Sequence, residues 1–559
     1  MQPNRRTFET RGPVDRKRNY FVPRTAEIAD LVQRIQQGRY IVIFAPRQTG
    51  KTTFFRWALD QLTDEDETYF PIHLSFETFK NASKKVFYAQ LQRRIYEAVV
   101  WQFGRLGAMI TAEFKAFLEN YPLTDHHSLR LFLKELAAHL MPGRVAILID
   151  EFDGIPPAAL SDFLHTLREI YLERDPNRCP YSLGIVGVKS ITQLNSDRSI
   201  SPFNIQDEFA LPNFTLDQVK DLLGQYTLEV GQAIAEEVIE SLCEQTAGQP
   251  FLVNRMAQLL TEEMDIPQNV TITPAHFEEA HQQMLSEQNV NISHLVTNIR
   301  RDRRFESILM EILSYERGVP FNLDNEIISE LATYGVVTAG EKGLCQIANP
   351  IYQYRIVRAF QPLLNGLERQ YLPEDTRAGF FDYLTQEGKI HMRELMRNFR
   401  DFIARVGYRI LSVPETPQEF VGQSLLFGYL DTFVRMVGGF MYTEVPTGRG
   451  RMALIILAPL APAPIPPILG VRGRGQGGRE KYIVETKIWE GESLYGAGKR
   501  QLAEYLTLED TKEGYYVVFD HRTHPEAREE EEVIQGKAIY CFTIPVVQQR
   551  PSNGTNKEG

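Results

Sequence analysis

Cysteine is scarce in this 559-residue sequence, which has only Cys179, Cys243, Cys345 and Cys541 and no CxxC pair. Such isolated cysteines support neither a disulfide framework nor a structural zinc site, and they indicate a reducing, cytoplasmic compartment. The N-terminus also lacks the apolar core of a secretion signal. Positive charge is not in excess, because 61 Lys and Arg face 72 Asp and Glu, for a formal net charge of −11. We therefore exclude a protein coated with basic residues for wrapping nucleic acid, while local basic patches stay open.

One uncharged run, 452–471, has the length of a membrane span, but it contains five prolines. Prolines in a spanning helix would leave backbone carbonyl groups unbonded in the bilayer, so we predict no membrane segment. Instead we expect a buried strand at the start of the run and a proline-rich, extended insertion after it. The insertion ends in the basic, glycine-rich segment 471–481, for which phosphate contacts and a loop without function are equal alternatives.

Apolar runs alternate with helical patterns along the first part of the chain. Four of these runs are predicted strands: 40–44, 70–76, 145–149 and 182–188. Their alternation with helices predicts an α/β fold with a mostly parallel sheet that is covered on both faces. The helical pattern of residues 215–264 predicts a lid on that sheet. Two helices near 305–314 and 325–334, followed by a hairpin at 336–347, predict a winged-helix unit.

A glycine-containing loop, 45–50, follows the first predicted strand and precedes a predicted helix. Together with Lys51 and Thr52 it matches the P-loop pattern, except that Ala45 stands where the first glycine usually lies. Backbone N–H groups of such a loop cradle phosphate oxygens, the lysine reaches the β- and γ-phosphates, and the hydroxyl binds Mg²⁺. The pattern therefore predicts that ATP is bound by Gln48, Thr49, Gly50, Lys51, Thr52 and Thr53.

The predicted strand 145–149 ends in two acids, Asp150 and Glu151. This order resembles the Walker B pattern. Asp150 is expected to hold Mg²⁺ together with Thr52, and Glu151 is expected to polarise the water that attacks the γ-phosphate. A strand that is acidic at its end by chance is the alternative, and the P-loop upstream argues against it. We therefore predict ATP hydrolysis as well as ATP binding, with Mg²⁺ as the cofactor.

With these motifs, residues 15–360 resemble the prokaryotic STAND and AAA-like ATPases of the P-loop superfamily. The resemblance implies that Arg24 lies near the adenine and that Pro250, in a Gly248-Gln249-Pro250 sequence, closes over the nucleotide. A plain helix boundary at the same position is compatible with that role. The resemblance also makes Arg198 a candidate phosphate sensor, acting in its own or a neighbouring subunit, with an ordinary surface arginine as the alternative.

A second candidate site lies in the predicted strand 482–487, where Glu485 and Lys487 are two residues apart. Alternation in a strand puts both side chains on one face, so the carboxylate can hold a metal ion while the ammonium group orients a hydroxide or a phosphate. The pattern alone is common. It gains weight from an apolar strand upstream, and from a predicted helix with Gln501 and a further strand downstream.

That order resembles the PD-(D/E)XK nuclease superfamily over residues 411–545. The resemblance implies catalytic roles for Glu485, which also binds the metal, and for Lys487 and Gln501. It also implies an aspartate on the preceding strand, where this chain has Ala453. An alanine methyl group cannot coordinate a metal ion, so we expect poor Mg²⁺ binding and slow or absent cutting. Ala453 is either a natural loss or an engineered aspartate-to-alanine change, and we favour the latter because the other groups are intact.

Several residues near this second site have less defined roles. Glu419 and Glu444 are candidates for a supporting acid, with ordinary surface positions as the alternative. His521 and His524 form an HxxH pattern after the last predicted strand, but no third ligand accompanies them. We interpret both histidines, and the acidic run 529–532, as surface residues.

The predicted fold class is thus α/β, with a P-loop ATPase core, a helical lid, a winged-helix connector and a C-terminal restriction-endonuclease-like α/β domain. Seven segments are predicted: a basic arm at 1–24, the ATPase core at 25–212, the lid at 213–272, the winged-helix-like domain at 273–368, a helical linker at 369–410, the nuclease-like domain at 411–548 and a flexible tail at 549–559. For the basic arm we favour a solvated segment over a contact with nucleic acid or a partner. For the winged helix we favour a joining role over DNA binding.

Together these elements predict an ATP-hydrolysing switch that controls a Mg²⁺-dependent nuclease acting on DNA, with RNA as the alternative substrate. The resemblance implies a cytoplasmic homo-oligomer that takes part in prokaryotic defence against phage or plasmids, together with a protein partner. The rival hypothesis is a regulatory or scaffold ATPase whose nuclease-like domain only binds nucleic acid or a partner.

Overall fold

The computed structural model describes the chain over thirteen stretches: 5–46, 48–173, 175–188, 194, 205–287, 303–314, 318–359, 383–385, 389–410, 418–437, 439–444, 453–459 and 479–546. The chain divides into two compact units. The first comprises Met1–Met284 with Ala332–Gly335, and the second comprises Leu285–Leu331 with Val336–Gly559.

A five-stranded parallel sheet lies in the first unit. Its strands are β1 (Tyr40–Phe44), β2 (Tyr69–Ser75), β3 (Arg144–Asp150), β4 (Ser182–Gly187) and β5 (Gln206–Glu208). They are arranged in the order β2-β3-β4-β1-β5, so the carboxyl ends of all five strands meet at one edge. The predicted parallel sheet is confirmed, and each of the four predicted strands begins and ends within one residue of its expected bounds. The short edge strand β5 was missed.

Helices cover both faces of this sheet: α1 (Thr25–Gln36), α2 (Lys51–Glu65), α3 (Lys84–Arg105), α4 (Ala112–Asn120), α5 (His126–Leu140) and α6 (Pro157–Leu172). On one face Val42 and Ile147 join the apolar core that holds residues of α3, α5 and α6. On the other face Ile41 and Ala146 pack with α1 and α2. Because both faces are buried, the strands are apolar throughout, and this is the property that identifies them in the sequence.

The predicted lid segment is helical: it contains α7 (Leu216–Val230), α8 (Glu236–Thr246) and α9 (Pro250–Gln258), and a π-helical turn at Leu259–Glu263 extends the last of them. Local sequence sets their ends. Thr215 and Gln218 form a capping box at the start of α7, and Gly231 ends it in the left-handed region. Pro250 begins α9, where its missing N–H group has no intrahelical partner to lose. A further helix, α10 (Pro274–Ser286), follows.

The next elements are α11 (Arg303–Ser314), α12 (Glu326–Thr333), β6 (Val337–Ala339), β7 (Cys345–Ile347) and α13 (Pro350–Ala359). Strands β6 and β7 pair antiparallel, with Val337 opposite Ile347. The two helices and the hairpin that the sequence predicts here are therefore present close to their expected positions.

A six-stranded mixed sheet lies in the second unit. Its strands are β8 (Phe440–Glu444), β9 (Ala453–Pro459), β10 (Arg479–Ile488), β11 (Glu513–Asp520), β12 (Arg528–Ile534) and β13 (Lys537–Pro545). The helices of this part of the chain are α14 (Met392–Ile410), α15 (Gln418–Met436) and α16 (Glu492–Leu508). The strand order is β12-β13-β11-β10-β9-β8. Strands β8, β9 and β10 form an antiparallel meander, β10, β11 and β13 run parallel, and β12 is antiparallel to β13. Helix α16 packs on one face through Leu502 and Leu506.

Three interpretations of the sequence differ from this structure. The acidic run 529–532 lies at the surface, as expected, but it forms part of edge strand β12, and β13 follows it, so the strand before His521 is not the last. The end of the predicted linker forms α14, which packs on the same sheet: Arg393 lies 4.5 Å from the ring of Tyr540. The basic arm is also packed rather than solvated, since Phe8 is only 2% exposed.

Strand β9 occupies the start of the uncharged run 452–471, where a buried strand was predicted, and Leu454, Ile455 and Ile456 are buried. The proline-rich insertion that was expected after it lies outside the described residues. Within the described ranges, no helix combines the length and the apolar character that a membrane span requires.

Candidate functional site

The loop between β1 and α2 carries the P-loop pattern. Gly50 is the N-cap of α2 with φ +81°, a left-handed conformation that glycine adopts without steric cost. Gln48 is also left-handed, with φ +60°. These two turns place the loop in front of the first N–H groups of α2, which have no carbonyl partners within the helix and therefore favour an anion.

Lys51 folds back over this loop. Its Nζ donates hydrogen bonds to the carbonyl oxygens of Ala45 at 2.7 Å and Pro46 at 2.6 Å. The hydroxyl of Thr49 donates to the same Pro46 carbonyl at 3.0 Å. The ammonium group is therefore held at the mouth of the loop, where the P-loop mechanism needs positive charge for the terminal phosphates.

Two residues that the sequence separates by 98 positions meet at the end of β3. The hydroxyl of Thr52 donates to the Oδ2 of Asp150 at 2.7 Å, and the Asp150 residue is only 7% exposed. The N–H of Glu151 donates to Oδ1 of the same carboxylate at 2.9 Å, with Glu151 in the left-handed region at φ +51°. The hydroxyl and the carboxylate predicted to share Mg²⁺ are thus adjacent. No three His, Cys, Asp or Glu side chains form a metal-holding group in the described parts of the chain. Mg²⁺ commonly needs only one or two carboxylates beside phosphates and water.

Thr53 differs from its neighbour. Its hydroxyl accepts a hydrogen bond from the N–H of Val14 at 3.1 Å, and the residue is 9% exposed. The Thr53 hydroxyl, which was predicted to contact nucleotide, is therefore hydrogen-bonded to the N-terminal segment in this structure.

His73 is a site residue that sequence reasoning missed. It lies on β2, and its Nε2 is 4.0 Å from the Oδ2 of Asp150 on the neighbouring strand. Burial lowers the pKa of His73 below its ordinary value, and the charge of Arg56 adds to this, although the Asp150 carboxylate acts in the opposite direction. Among the described residues its Nε2 has no hydrogen-bond partner. The available signal was a histidine inside an apolar strand next to the Walker B strand.

Arg24 lies at the start of α1 in the left-handed region, with φ +50°. Its side chain is 6% exposed, and burial lowers its pKa to about 10. Nη1 donates to the carbonyl of Pro212 at 2.9 Å and lies 3.7 Å from Glu27. The guanidinium group is 4.7 Å from the ring of Phe214. Its Nη2 is buried and has no hydrogen-bond partner among the described residues.

Phe214 also connects Arg24 to the Gly248-Gln249-Pro250 sequence. The N–H of Phe214 donates to the Gly248 carbonyl at 2.8 Å. Gly248 has φ +66°, and a Cβ atom added there would lie 1.9 Å from the Phe214 carbonyl oxygen. Only glycine fits this close approach. Phe214 thus connects Arg24, which the resemblance places near the adenine, with the segment that the resemblance expects to close over the nucleotide. Arg198 lies outside the described residues.

The sequence profile of the AAA-like domain family matches residues 9–355, more than half of the chain. The chain belongs to this AAA-like domain family. As a member of the family it is a P-loop ATPase of the AAA-like class, and the predicted α/β core agrees with that membership. The matched residues include the whole nucleotide site described above.

Several known proteins are similar to this AAA-like protein. An uncharacterized WD repeat-containing protein of Synechocystis is 26% identical over 241 residues, which are 42% of this chain and 19% of the relative. The chain thus spans about a fifth of that relative's length. The Walker-type ATPase PABY2304 of Pyrococcus abyssi is 15% identical, with 62% of this chain and 99% of that chain covered and a TM-score of 0.46. The Aeropyrum pernix Orc1 protein in complex with DNA is 15% identical, with 60% and 93% covered and a TM-score of 0.29.

The second candidate site of the AAA-like protein lies outside the matched residues, in the six-stranded sheet. Glu485 on β10 pairs directly with Ala453 on β9, and Ala453 pairs with Glu444 on β8. These three positions form one row across three neighbouring strands. The row brings the E-x-K glutamate and the position of the absent aspartate together, and it also contains one of the two candidate supporting acids. Glu485 is buried, at 3% exposed.

Lys487 follows two residues later on β10, opposite Val518, and is half-buried. Gln501 lies on α16 one helical turn before Tyr505, whose ring packs against Ile455 and Leu457 of β9. Glu419 falls on α15, and nothing is described of its side chain.

His521 and His524 do not behave alike, although the sequence analysis treated both as surface residues. His524 is exposed, as expected. His521 is half-buried, and burial lowers its pKa to about 4, against the charge of Asp520, which raises it. Among the described residues neither ring nitrogen of His521 has a hydrogen-bond partner.

Proposed function

We propose that this AAA-like ATPase is an ATP-driven switch whose hydrolytic site is built from Lys51, Thr52, Asp150 and Glu151. The observation that supports it most is the 2.7 Å hydrogen bond between Thr52 and Asp150. This bond aligns the two groups that P-loop enzymes use for Mg²⁺ before any ligand arrives. Lys51, held over the same loop by two carbonyl oxygens, supplies charge for the β- and γ-phosphates.

Thr52 and Asp150 are the residues that would hold Mg²⁺, which, when bound, neutralises phosphate charge during transfer. Glu151 follows Asp150 directly and is the group that accepts the proton of the attacking water. Its left-handed backbone turns the chain sharply at the strand end. The buried guanidinium of Arg24 and the Gly248–Phe214 contact support a base-binding role for this end of the site.

Two variants test the ATPase proposal. Glu151→Gln keeps the shape of the side chain but removes the base, so ATP should still bind while hydrolysis falls by about 100-fold or more. Lys51→Ala should weaken ATP binding itself, because it removes charge from the phosphates. The readouts are equilibrium binding of a fluorescent ATP analogue and phosphate release. Lys220→Ala, in a surface ion pair of the first unit, is the control. Hydrolysis by Lys51→Ala at the unaltered rate would contradict the proposal.

We further propose that the C-terminal sheet is a PD-(D/E)XK nuclease domain that lacks one metal-binding carboxylate. Support comes from the element order α15, β8, β9, β10, α16, β11, which places an antiparallel meander, a helix and a parallel strand in sequence. It also comes from the direct pairing of Ala453 with Glu485.

The proposed substrate of this domain is DNA. The proposed assembly is a homo-oligomer, in which the elements α11 to β7 form a winged-helix connector. The proposed biological context is defence against phage or plasmids.

Restoring the carboxylate tests this second part. Ala453→Asp should create Mg²⁺-dependent cleavage of plasmid DNA, because it sets a second carboxylate next to Glu485. Ala453→Asn, of almost the same size but without charge, should not. The double change Ala453→Asp with Glu485→Gln should abolish any new cleavage. Absence of cleavage by Ala453→Asp, together with retained DNA binding, would instead favour the regulatory ATPase whose C-terminal domain only binds.

A further inference from the structure

The N-terminal segment 5–22, here called the strap, contacts two separate parts of the first unit. Its beginning and its end lie against the lid helix α7 and the π-helical turn after α9, and its middle lies against α2, the helix that begins with Lys51. The strap is closed on itself, because Thr7 and Asn19 form a bridge and the N–H of Tyr20 donates to the Thr7 carbonyl at 3.0 Å. A closed segment of this kind can carry a displacement from one contact to the other.

Charged hydrogen bonds hold the strap to the lid. Arg6 donates from its Nε to the carboxylate of Glu229 at 2.6 Å, and its N–H donates to the same carboxylate at 3.0 Å. The N–H of Phe8 donates to the carboxylate of Glu262 at 2.8 Å. The Arg6–Glu229 pair is about 29% exposed on each side, so it is partly sheltered from solvent.

Aromatic packing strengthens the same contact. The rings of Phe8 and Tyr20 lie 4.7 Å apart, and Tyr20 lies 6.0 Å from Tyr226 of α7. Arg6 is stacked 4.8 Å from the ring of Tyr20 and Arg5 4.8 Å from the ring of Tyr226. Phe8 and Tyr20 are 2% and 1% exposed. Arg5 and Arg6 therefore cover a buried aromatic cluster.

The other contact lies next to the phosphate loop. The N–H of Val14 donates to the hydroxyl of Thr53 at 3.1 Å, while the preceding residue, Thr52, donates its hydroxyl to Asp150. Arg16 stacks 4.4 Å from the ring of Trp57 one turn later on α2. Successive residues in the first turn of α2 thus connect to the Walker B acid and to the strap.

We propose that the strap couples nucleotide occupancy to the lid: phosphate and Mg²⁺ at the start of α2 shift its first turn, and the strap passes that shift to Glu229 and Glu262. This inference rests on the nucleotide binding proposed above. Linkage requires the coupling to be reciprocal. If bound nucleotide strengthens the contact between strap and lid by some factor, loss of that contact must weaken nucleotide binding by the same factor.

Hydrogen exchange of the Phe8 amide measures the lid contact directly. In the unaltered chain a non-hydrolysable ATP analogue with Mg²⁺ should slow this exchange about 5- to 10-fold. Val14→Pro removes the N–H that reaches Thr53, although it also replaces the side chain and fixes the backbone, and it should abolish the slowing while the analogue still binds. Val14→Ala, which keeps the N–H, is the matched control and should behave as the unaltered chain. Arg16→Ala offers a second way to loosen the same contact without changing the backbone.

The reciprocal measurement uses the lid. Glu229→Gln combined with Glu262→Gln should weaken binding of the analogue about 5- to 10-fold. Glu236→Gln breaks a 2.6 Å ion pair with Lys220 between lid helices that does not touch the strap, and it should not affect binding. Binding without slower Phe8 exchange, or slowing that persists in Val14→Pro, would overturn the coupling and leave the ATPase proposal intact. A chain that binds no nucleotide would overturn both.

Discussion

The nucleotide site and the second candidate site are assembled in different ways. In the first, the residues come from two continuous motifs, and their side chains already touch, as Thr52 and Asp150 do at 2.7 Å. In the second, single residues from separate strands share a row, Glu444, Ala453 and Glu485, and one position has no polar group. The nucleotide site depends on a particular backbone conformation, so several neighbouring residues are needed to form it. The second site depends on single side chains in a row across the sheet, so one substitution can remove its chemistry while the sheet still folds.

The largest effect on stability is expected from a substitution of Gly248, next to the nucleotide site. Gly248→Ala would place a Cβ 1.9 Å from the Phe214 carbonyl at a φ of +66°, so we expect it to destabilise the first unit by about 2–4 kcal/mol and to weaken ATP binding. Gly231→Ala is the matched control: φ is +79°, but no atom lies within 4 Å of the added Cβ. It should cost about 1 kcal/mol and leave ATP binding unchanged. Urea unfolding and analogue binding distinguish the two. Equal costs would show that the Gly248–Phe214 contact has no special role.

The parts of the fold that could be predicted are those in which buried positions are occupied by apolar residues, because such runs can be recognised in the sequence. Strand β1 was placed at its observed bounds because both of its faces are buried and all five residues are apolar. The meeting of Thr52 and Asp150 was predictable for the same reason, since both follow such strands at one edge of a parallel sheet.

The parts that were missed are held by contacts of charged side chains. Strand β12 carries four consecutive glutamates, which give no apolar alternation. Its side chains stay at the surface, where Glu529 pairs with Arg397 of α14 and Glu530 pairs with Lys499 of α16. The strap was interpreted as solvated for a related reason. Arginines that stack on aromatic rings, such as Arg16 on Trp57, cannot be distinguished in the sequence from arginines in water.

A smaller effect is expected from His521 in the second unit. Its folded pKa of about 4 lies below the ordinary histidine value of about 6.5, so the unfolded chain binds the proton first. Stability should therefore be unaffected above about pH 6.5 and should decrease as the pH falls from 6.5 to 4. After allowance for partial solvent access, the loss should be about 1–2 kcal/mol.

His521→Gln should flatten this pH dependence, whereas His524→Gln, at an exposed position four residues from the strand β12, should not. Unfolding in urea can be followed through Trp489 after Trp57 and Trp101 are replaced by Phe, since these three are the tryptophans of the chain. A slope between pH 6.5 and 4 that survives in His521→Gln would assign the acid sensitivity of the C-terminal sheet to other groups.

The smallest effect concerns the charges that replace apolar packing on β12. Arg397 contacts Glu529 through Nε at 2.8 Å and Nη2 at 2.5 Å, and its side chain is 36% exposed. Arg397→Ala should destabilise the second unit by about 0.5–1 kcal/mol, and the loss should shrink in high salt. Arg93→Ala in the first unit removes an ion pair with Glu97 in which the arginine is 80% exposed, and it should cost almost nothing. If both variants cost the same in low salt, the Arg397–Glu529 pair contributes no more to stability than an ordinary surface ion pair.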